Sequence, residues 1–129
     1  MPARGSGDLL FAYGTLMRGY ALHSRLARGA TFLGTAEAPG RLLALPGYPG
    51  LVAGPGRVRG EVYRIDGPEL LRALDRAEGY DFERRRSMVT LADGRRARAW
   101  VYRYRGPRAG AHPIADGDYR RVAPRPATP

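Results

Sequence analysis

Cysteine is absent from this 129-residue sequence, and so are lysine, asparagine and glutamine. Without cysteine there is no disulfide framework, no thiolate nucleophile and no cysteine-based metal site. The two histidines, His23 and His112, stand far apart and outside metal-ligand spacing, so no metal is expected. No hydrophobic run approaches the ~20 residues that a membrane-spanning helix needs, and residues 1–7 lack the apolar core of a secretory signal. A soluble cytoplasmic protein with no membrane partner is the expectation. The sequence also has no Gly-x-Ser-x-Gly, no phosphate loop ending in Lys-Ser/Thr and no His-Glu-x-x-His. Its three serines, Ser6, Ser24 and Ser87, have no obvious partnered histidine and acid.

A formal charge of +10 would suit a nucleic acid. All 22 basic residues, however, are arginine, the pattern of a high-GC coding bias that inflates Arg regardless of function. The arginines are spread along the chain in short runs such as Arg84-Arg85-Arg86 and Arg95-Arg96, beside no recognised nucleic-acid motif. Charge therefore argues weakly for nucleic acid as a partner. The length suits a single domain over 1–129 with a core at about 8–122, able to bury roughly two-thirds of its unfolded surface.

Residues 8–13 form a short apolar run that ends at Gly14, the signature of a buried strand. A glycine-bracketed loop follows, then a short helix over 20–27 with Leu22 and Leu26 on its buried face. Strands are expected over 30–38 and, more weakly, 41–45. The prolines and glycines from Pro46 to Gly56 predict a long irregular loop, either functional or an ordinary surface connection. The strand over 57–65 contains Gly60, which suggests a bulge or a close backbone approach. Residues 84–91, the turn Ala92-Asp93-Gly94 and residues 95–104 predict a β-hairpin. From Gly106 the chain is rich in Pro, Gly and Arg, and residues 123–129 read as a frayed tail. Five or six short strands with two short helices do not alternate as a doubly wound sheet would. The expected fold class is α+β, a small mixed barrel-like sheet with two short helices.

The second helix carries the most informative residue. Asp66-Gly67-Pro68-Glu69 predicts its start, with Asp66 as N-cap and Glu69 completing a capping box, and Gly79 is a natural C-cap. At 100° per residue Leu70, Leu71, Leu74 and Ala77 make one apolar arc, and Glu78 falls inside it. A lone Glu there must be paired, be protonated or line a cavity. The last two are how a general acid/base with a raised pKa is made. If the helix has frayed by Gly79, Glu78 is a solvated end residue instead. Asp75 and Asp81 are the nearby acids; by helical phase Asp75 reads as solvated. In the loop Tyr13-Gly14-Thr15-Leu16, glycine would let backbone N–H groups approach a carboxylate or developing oxyanion. A plain strand-ending turn would need glycine as well.

Tyr13-Gly14-Thr15-Leu16 resembles the Tyr-Gly-Ser/Thr-Leu signature of the gamma-glutamylcyclotransferase-like family. Leu74-Asp75-Arg76-Ala77-Glu78-Gly79-Tyr80 resembles that family's Leu-Asp-x-x-Glu-Gly-Tyr segment, in which the Glu is the acid/base. Tyr48-Pro49-Gly50-Leu51, Val58-Arg59-Gly60-Glu61-Val62-Tyr63 and Ala99-Trp100-Val101-Tyr102 agree as well. Ile114-Ala115-Asp116-Gly117-Asp118-Tyr119 is similar to its closing Ser-Gly-Asp-Trp/Tyr stretch, with Asp116 in place of Ser and Tyr119 for Trp. The resemblance implies a barrel-like α+β fold and a reaction without metal or organic cofactor, so none is expected. In that reaction a γ-glutamyl amide cyclises to 5-oxoproline and frees an amine. Glu78 would be the acid/base and the N–H groups of Gly14, Thr15 and Leu16 would hold the small-molecule substrate. Tyr13 would shape the pocket, with Tyr48 and Tyr102 as walls. The leaving amine is not identified, and a monomer and a weak dimer both fit. A non-catalytic binding module on the same fold is the alternative from another class, and an Arg-rich nucleic-acid binder is a third.

Overall fold

A computed structural model describes residues 8–122. The expectations for residues 1–7 and for the tail 123–129 lie outside the described residues. The elements run β1 (Leu9–Ala12), α1 (Ser24–Ala27), β2 (Ala30–Leu45), β3 (Tyr48–Ile65), α2 (Pro68–Glu78), β4 (Phe82–Leu91), β5 (Arg96–Tyr104), β6 (His112–Ile114) and α3 (Tyr119–Val122).

Five strands close on themselves. Antiparallel pairings link β1 to β3, β3 to β2, β2 to β4 and β4 to β5. The ring is completed by a parallel seam in which Leu10 and Phe11 of β1 face Trp100 and Val101 of β5. Strand β6 adds to β2 outside this ring, with Ile114 opposite Leu42. Phe11, Val58, Val62, Val89 and Val101 share one face of the closed sheet and are almost completely buried, while Leu10, on the opposite face with Tyr63 and Trp100, is buried too. The α+β barrel expected from the sequence is thus present, with three short helices among the described residues in place of two.

Several local expectations are corrected. The segments 30–38 and 41–45 are one strand, β2, and the stretch from Tyr48 onward is a strand rather than an irregular loop. The turn needs only Pro46 and Gly47, the latter at φ 86°. The glycines serve an irregularity within the hairpin instead. The register passes from Pro39↔Arg57 to Arg41↔Val52, so Gly40, at φ 140°, faces a four-residue bulge. The first helix is confined to Ser24–Ala27, because the chain before it is still in tight turns, with the His23 N–H donating to the Tyr20 carbonyl. Helix α2 is capped by Gly67, not Asp66, and without a side-chain bond. The Asp66 N–H donates to the Gly29 carbonyl at 2.8 Å, which keeps Asp66 at the end of the sheet. Pro68 opens the helix, and Gly79 at φ 81° ends it.

Candidate active site

The loop leaving β1 owes its shape to two missing side-chain atoms. A Cβ on Gly60 would run into the Ala12 carbonyl oxygen and the Phe11 ring, so glycine there lets the end of β1 lie close against β3. A Cβ on Gly14 would stand 2.6 Å from Pro49 Cγ, so glycine lets the loop pass beneath the start of β3. The chain then turns tightly. The Met17 N–H donates to the Gly14 carbonyl at 3.0 Å, the Leu22 N–H to the Thr15 carbonyl at 3.0 Å, and His23 Nδ1 to the Leu16 carbonyl at 2.9 Å. These bonds occupy the loop's carbonyls. Among the described residues, nothing accepts a hydrogen bond from the N–H groups of Gly14, Thr15 or Leu16.

Tyr13 ties this loop to the barrel. Its buried hydroxyl accepts from the Leu51 N–H at 3.1 Å and donates to the Tyr102 carbonyl at 2.6 Å. Burial pushes its ionisation well above the ordinary range, so it acts as a neutral strut. The Tyr102 hydroxyl in turn donates to Asp75 Oδ1 at 2.6 Å. Asp75 also accepts from Arg84 Nε at 2.8 Å and Nη2 at 3.0 Å. The expectation of a solvated Asp75 is therefore corrected, because β4 and β5 bring a guanidinium and a phenol to the helix side that phase alone assigns to water. Burial works to raise its carboxyl, but the bonds from Arg84 and Tyr102 outweigh this and hold it below the usual range. Three residues before Glu78, α2 is thus anchored to two strands.

Glu78 ends that helix half-buried. Loss of hydration pushes its carboxyl from 4.5 up to about 7, with the Arg25 charge opposing. The carboxyl borders a cavity of about 420 Å³ whose lining includes Tyr13, Gly14, Thr15, Leu16, Tyr48 and Tyr102. All seven residues singled out from the sequence therefore face one space. Its charge also contributes to the raised pKa values of the Tyr13 and Tyr102 hydroxyls. Asp81 lines the same cavity, and among the described lining residues no arginine or histidine does. Pro49, Phe82 and Tyr80 also line it, with the Phe82 ring 5.9 Å from that of Tyr48, three residues that sequence reasoning did not assign to a site. Among the described residues, no group of three or more His, Asp or Glu side chains is placed to hold a metal.

Glu61 was also missed. It is 1% exposed and, among the described residues, the one charged side chain that is buried. Arg18, Tyr63 and Arg120 all donate to it. The signal in the sequence was an acid set between Gly60 and Val62, in the part of the strand that runs into Val62-Tyr63.

The sequence matches the family described as Gamma-glutamyl cyclotransferase, AIG2-like over residues 10–121. It is 35% identical over 111 residues to the gamma-glutamylcyclotransferase family protein YtfP of Escherichia coli K12, covering 85% of this chain and 94% of that protein. The solution structure of ytfP from Escherichia coli superposes with a TM-score of 0.64 at 34% identity, over 86% of this chain and 95% of that one. A crystal structure of an AIG2-like protein from Mus musculus gives a TM-score of 0.67 at 27% identity, over 75% and 76% of the two chains.

Proposed function

The chain belongs to the gamma-glutamyl cyclotransferase, AIG2-like family, and from that premise we propose that it cyclises a γ-glutamyl amide to 5-oxoproline with release of the free amine. The substrate's own α-amine attacks its γ-carbonyl carbon, a C–N bond closes the five-membered lactam, and the bond to the departing amine breaks. The nucleophile is internal, so the protein's tasks are to fold the substrate back on itself, to stabilise the oxyanion and to move a proton. Holding an intramolecular attack in reactive geometry corresponds to effective molarities of ~10⁵–10⁸ M.

One observation carries the reading. A carboxyl with a pKa of about 7 and three backbone N–H groups without protein acceptors border the same cavity. Glu78 takes a proton from the α-ammonium and delivers it to the departing nitrogen. The second proton lost by the attacking nitrogen as the lactam forms passes to the freed amine, which leaves as its ammonium. A pKa near the working pH suits these transfers. The N–H groups of Gly14, Thr15 and Leu16 receive the substrate carboxylate or the oxyanion of the tetrahedral intermediate. With no basic side chain on the described lining, these dipoles stand among the groups there that favour negative charge, beside hydroxyls such as those of Thr15 and Tyr48. Tyr13 stays protonated and keeps the loop in register, while Tyr48 and Tyr102 wall the space.

The test is 5-oxoproline release from a panel of γ-glutamyl amines and γ-glutamyl dipeptides, with wild type and Glu78→Gln side by side. Wild type is expected to turn over at least one member. Its kcat/KM should rise with pH through about 7, as Glu78 must be ionised to accept the proton. Glu78→Gln should lose kcat by ~10²-fold or more with little change in KM. Turnover by the glutamine variant at the wild-type rate would remove Glu78 from the mechanism.

A further inference from the structure

Glu61 lies outside the cavity assigned to the reaction and is spent on an unusual set of partners. Its Oε1 accepts from the backbone N–H of Arg18 at 3.0 Å and from the Tyr63 hydroxyl at 2.7 Å. Its Oε2 accepts from Arg18 Nε at 3.3 Å and from Arg120 Nη2 at 2.6 Å. A buried ion pair is a weak source of net stability, since apolar side chains of similar volume commonly do as well or better. What such a cluster does supply is geometry, and the geometry here converges on one segment.

Residues 14–19 leave the barrel directly after Ala12, which is paired across the ladder with Glu61 itself. The start of the turn is therefore fixed by β3, and its far end, Arg18, is brought back to the same Glu61 by both its backbone and its side chain. The Arg18 guanidinium also lies over the Phe32 ring, 3.8 Å from its centroid, which limits its swing. Arg120 joins the carboxylate from α3, 59 positions along the chain, and its Nη1 reaches the Arg18 carbonyl at 3.4 Å. Between these two fixed ends lie Gly14, Thr15 and Leu16, with their unpartnered N–H groups.

We propose that Glu61 is a positioning residue for this reaction: by gripping Arg18 it fixes the turn of residues 14–19 and so holds the N–H groups of Gly14, Thr15 and Leu16 at the cavity. This rests on the cyclotransferase reading of that site. The carboxylate is not on the lining of the cavity assigned to the reaction. Burial works to protonate it, but the donors from Arg18, Tyr63 and Arg120 outweigh burial and keep it ionised at neutral pH, so the grip does not loosen there.

The experiment measures kcat and KM per folded molecule for wild type, Glu61→Gln and Arg18→Ala, together with amide hydrogen exchange over residues 14–19. Glu61→Gln keeps the volume but sets amide hydrogens against the guanidinium donors. Its kcat should fall on the order of 10–100-fold, the scale of an ~1 Å misplacement of groups that act in the transition state. Exchange over 14–19, read at the bonded amides of Met17 and Arg18, should quicken while that of β4 and β5 stays protected. Arg18→Ala, at a half-exposed side chain, should fold readily and show a smaller loss of kcat in the same direction. A purely structural role would lower the melting temperature and the folded fraction, with kcat and KM of the folded molecules within twofold of wild type and exchange unchanged. That result overturns the proposal, as does the same result in Arg18→Ala alone if Glu61→Gln does not fold. Should wild type turn over no panel member, the cyclotransferase reading fails, and the exchange comparison by itself decides whether Glu61 holds the turn.

Discussion

Replacing Glu78 with glutamine has a consequence for stability that is separate from turnover. Burial moves the carboxyl from 4.5 in the unfolded chain to about 7 in the folded one. Between those values the folded chain holds a proton that the unfolded chain has released, so folding takes up a proton and stability falls as pH rises through the window. Above it the whole cost of an ionised, half-buried carboxylate is present. The gap corresponds to about 3 kcal/mol at ~1.36 kcal/mol per pH unit, and water reaching the exposed part of the group reduces this to about 1–3 kcal/mol. Glutamine fills the same volume and does not titrate, so whatever its amide costs is the same at every pH. The variant should match or trail wild type near pH 5 and then gain about 1–3 kcal/mol on it by about pH 8.5. For a chain of this length that is a difference in Tm of roughly 3–10 °C. Urea or thermal unfolding of both proteins across this range gives the answer, read as the difference between them so that other titrating groups cancel. A difference that stays flat with pH refutes the reasoning, because the Glu78 carboxyl would then ionise in the folded state where it does in the unfolded one.

Gly14→Ala sets its new Cβ 2.6 Å from Pro49 Cγ, and neither ring nor backbone can yield without moving the loop. Steady-state release of 5-oxoproline should show kcat lowered by ~10²-fold; a loss confined to Tm would mean the loop's N–H groups do not take part. Asp75→Asn leaves Arg84 without its two-point carboxylate and weakens the bond from Tyr102. Urea titration should register a loss of about 1–2 kcal/mol, and kcat should fall because α2 is less firmly set against β4 and β5. Unchanged kcat in Asp75→Asn would show that Glu78 keeps its place without this anchor.

What could be read from the sequence was what local chemistry decides. Ala92-Asp93-Gly94 makes its turn with Gly94 at φ 92°, and Asp93 accepts from the Arg95 N–H, all within one short segment. The stripe of Leu71 and Leu74 is buried and brings Glu78 to the cavity edge, because helical phase is a local property. The failures were at positions whose surroundings arrive from far along the chain. The glycines around Gly54 broke the strand signal, although their role is to let the bulge of β3 pass Gly40 and Arg41 of β2. Asp75 looked solvated because Arg84 and Tyr102 reach it from β4 and β5. Glu61 was passed over because its partners Arg18 and Arg120 lie 43 and 59 positions away. Periodicity reports which face a residue occupies and is silent about what the fold brings to that face.

The parallel seam between β1 and β5 also predicts an order of events in folding. Hairpins β2–β3 and β4–β5 join near neighbours and can form early, whereas Tyr13 finds the Tyr102 carbonyl across 89 positions. Contacts of such long range bear the loop-closure entropy of nearly the whole chain before they return anything, and barrels built on them fold in about milliseconds to seconds. The loop with the free N–H groups starts where this seam ends, so a chain with both hairpins formed but β1 undocked would hold Glu78 on its helix without the N–H groups of Gly14, Thr15 and Leu16 in place. Recovery of turnover during refolding would therefore lag the recovery of strand signal, and the lag would time the docking of β1.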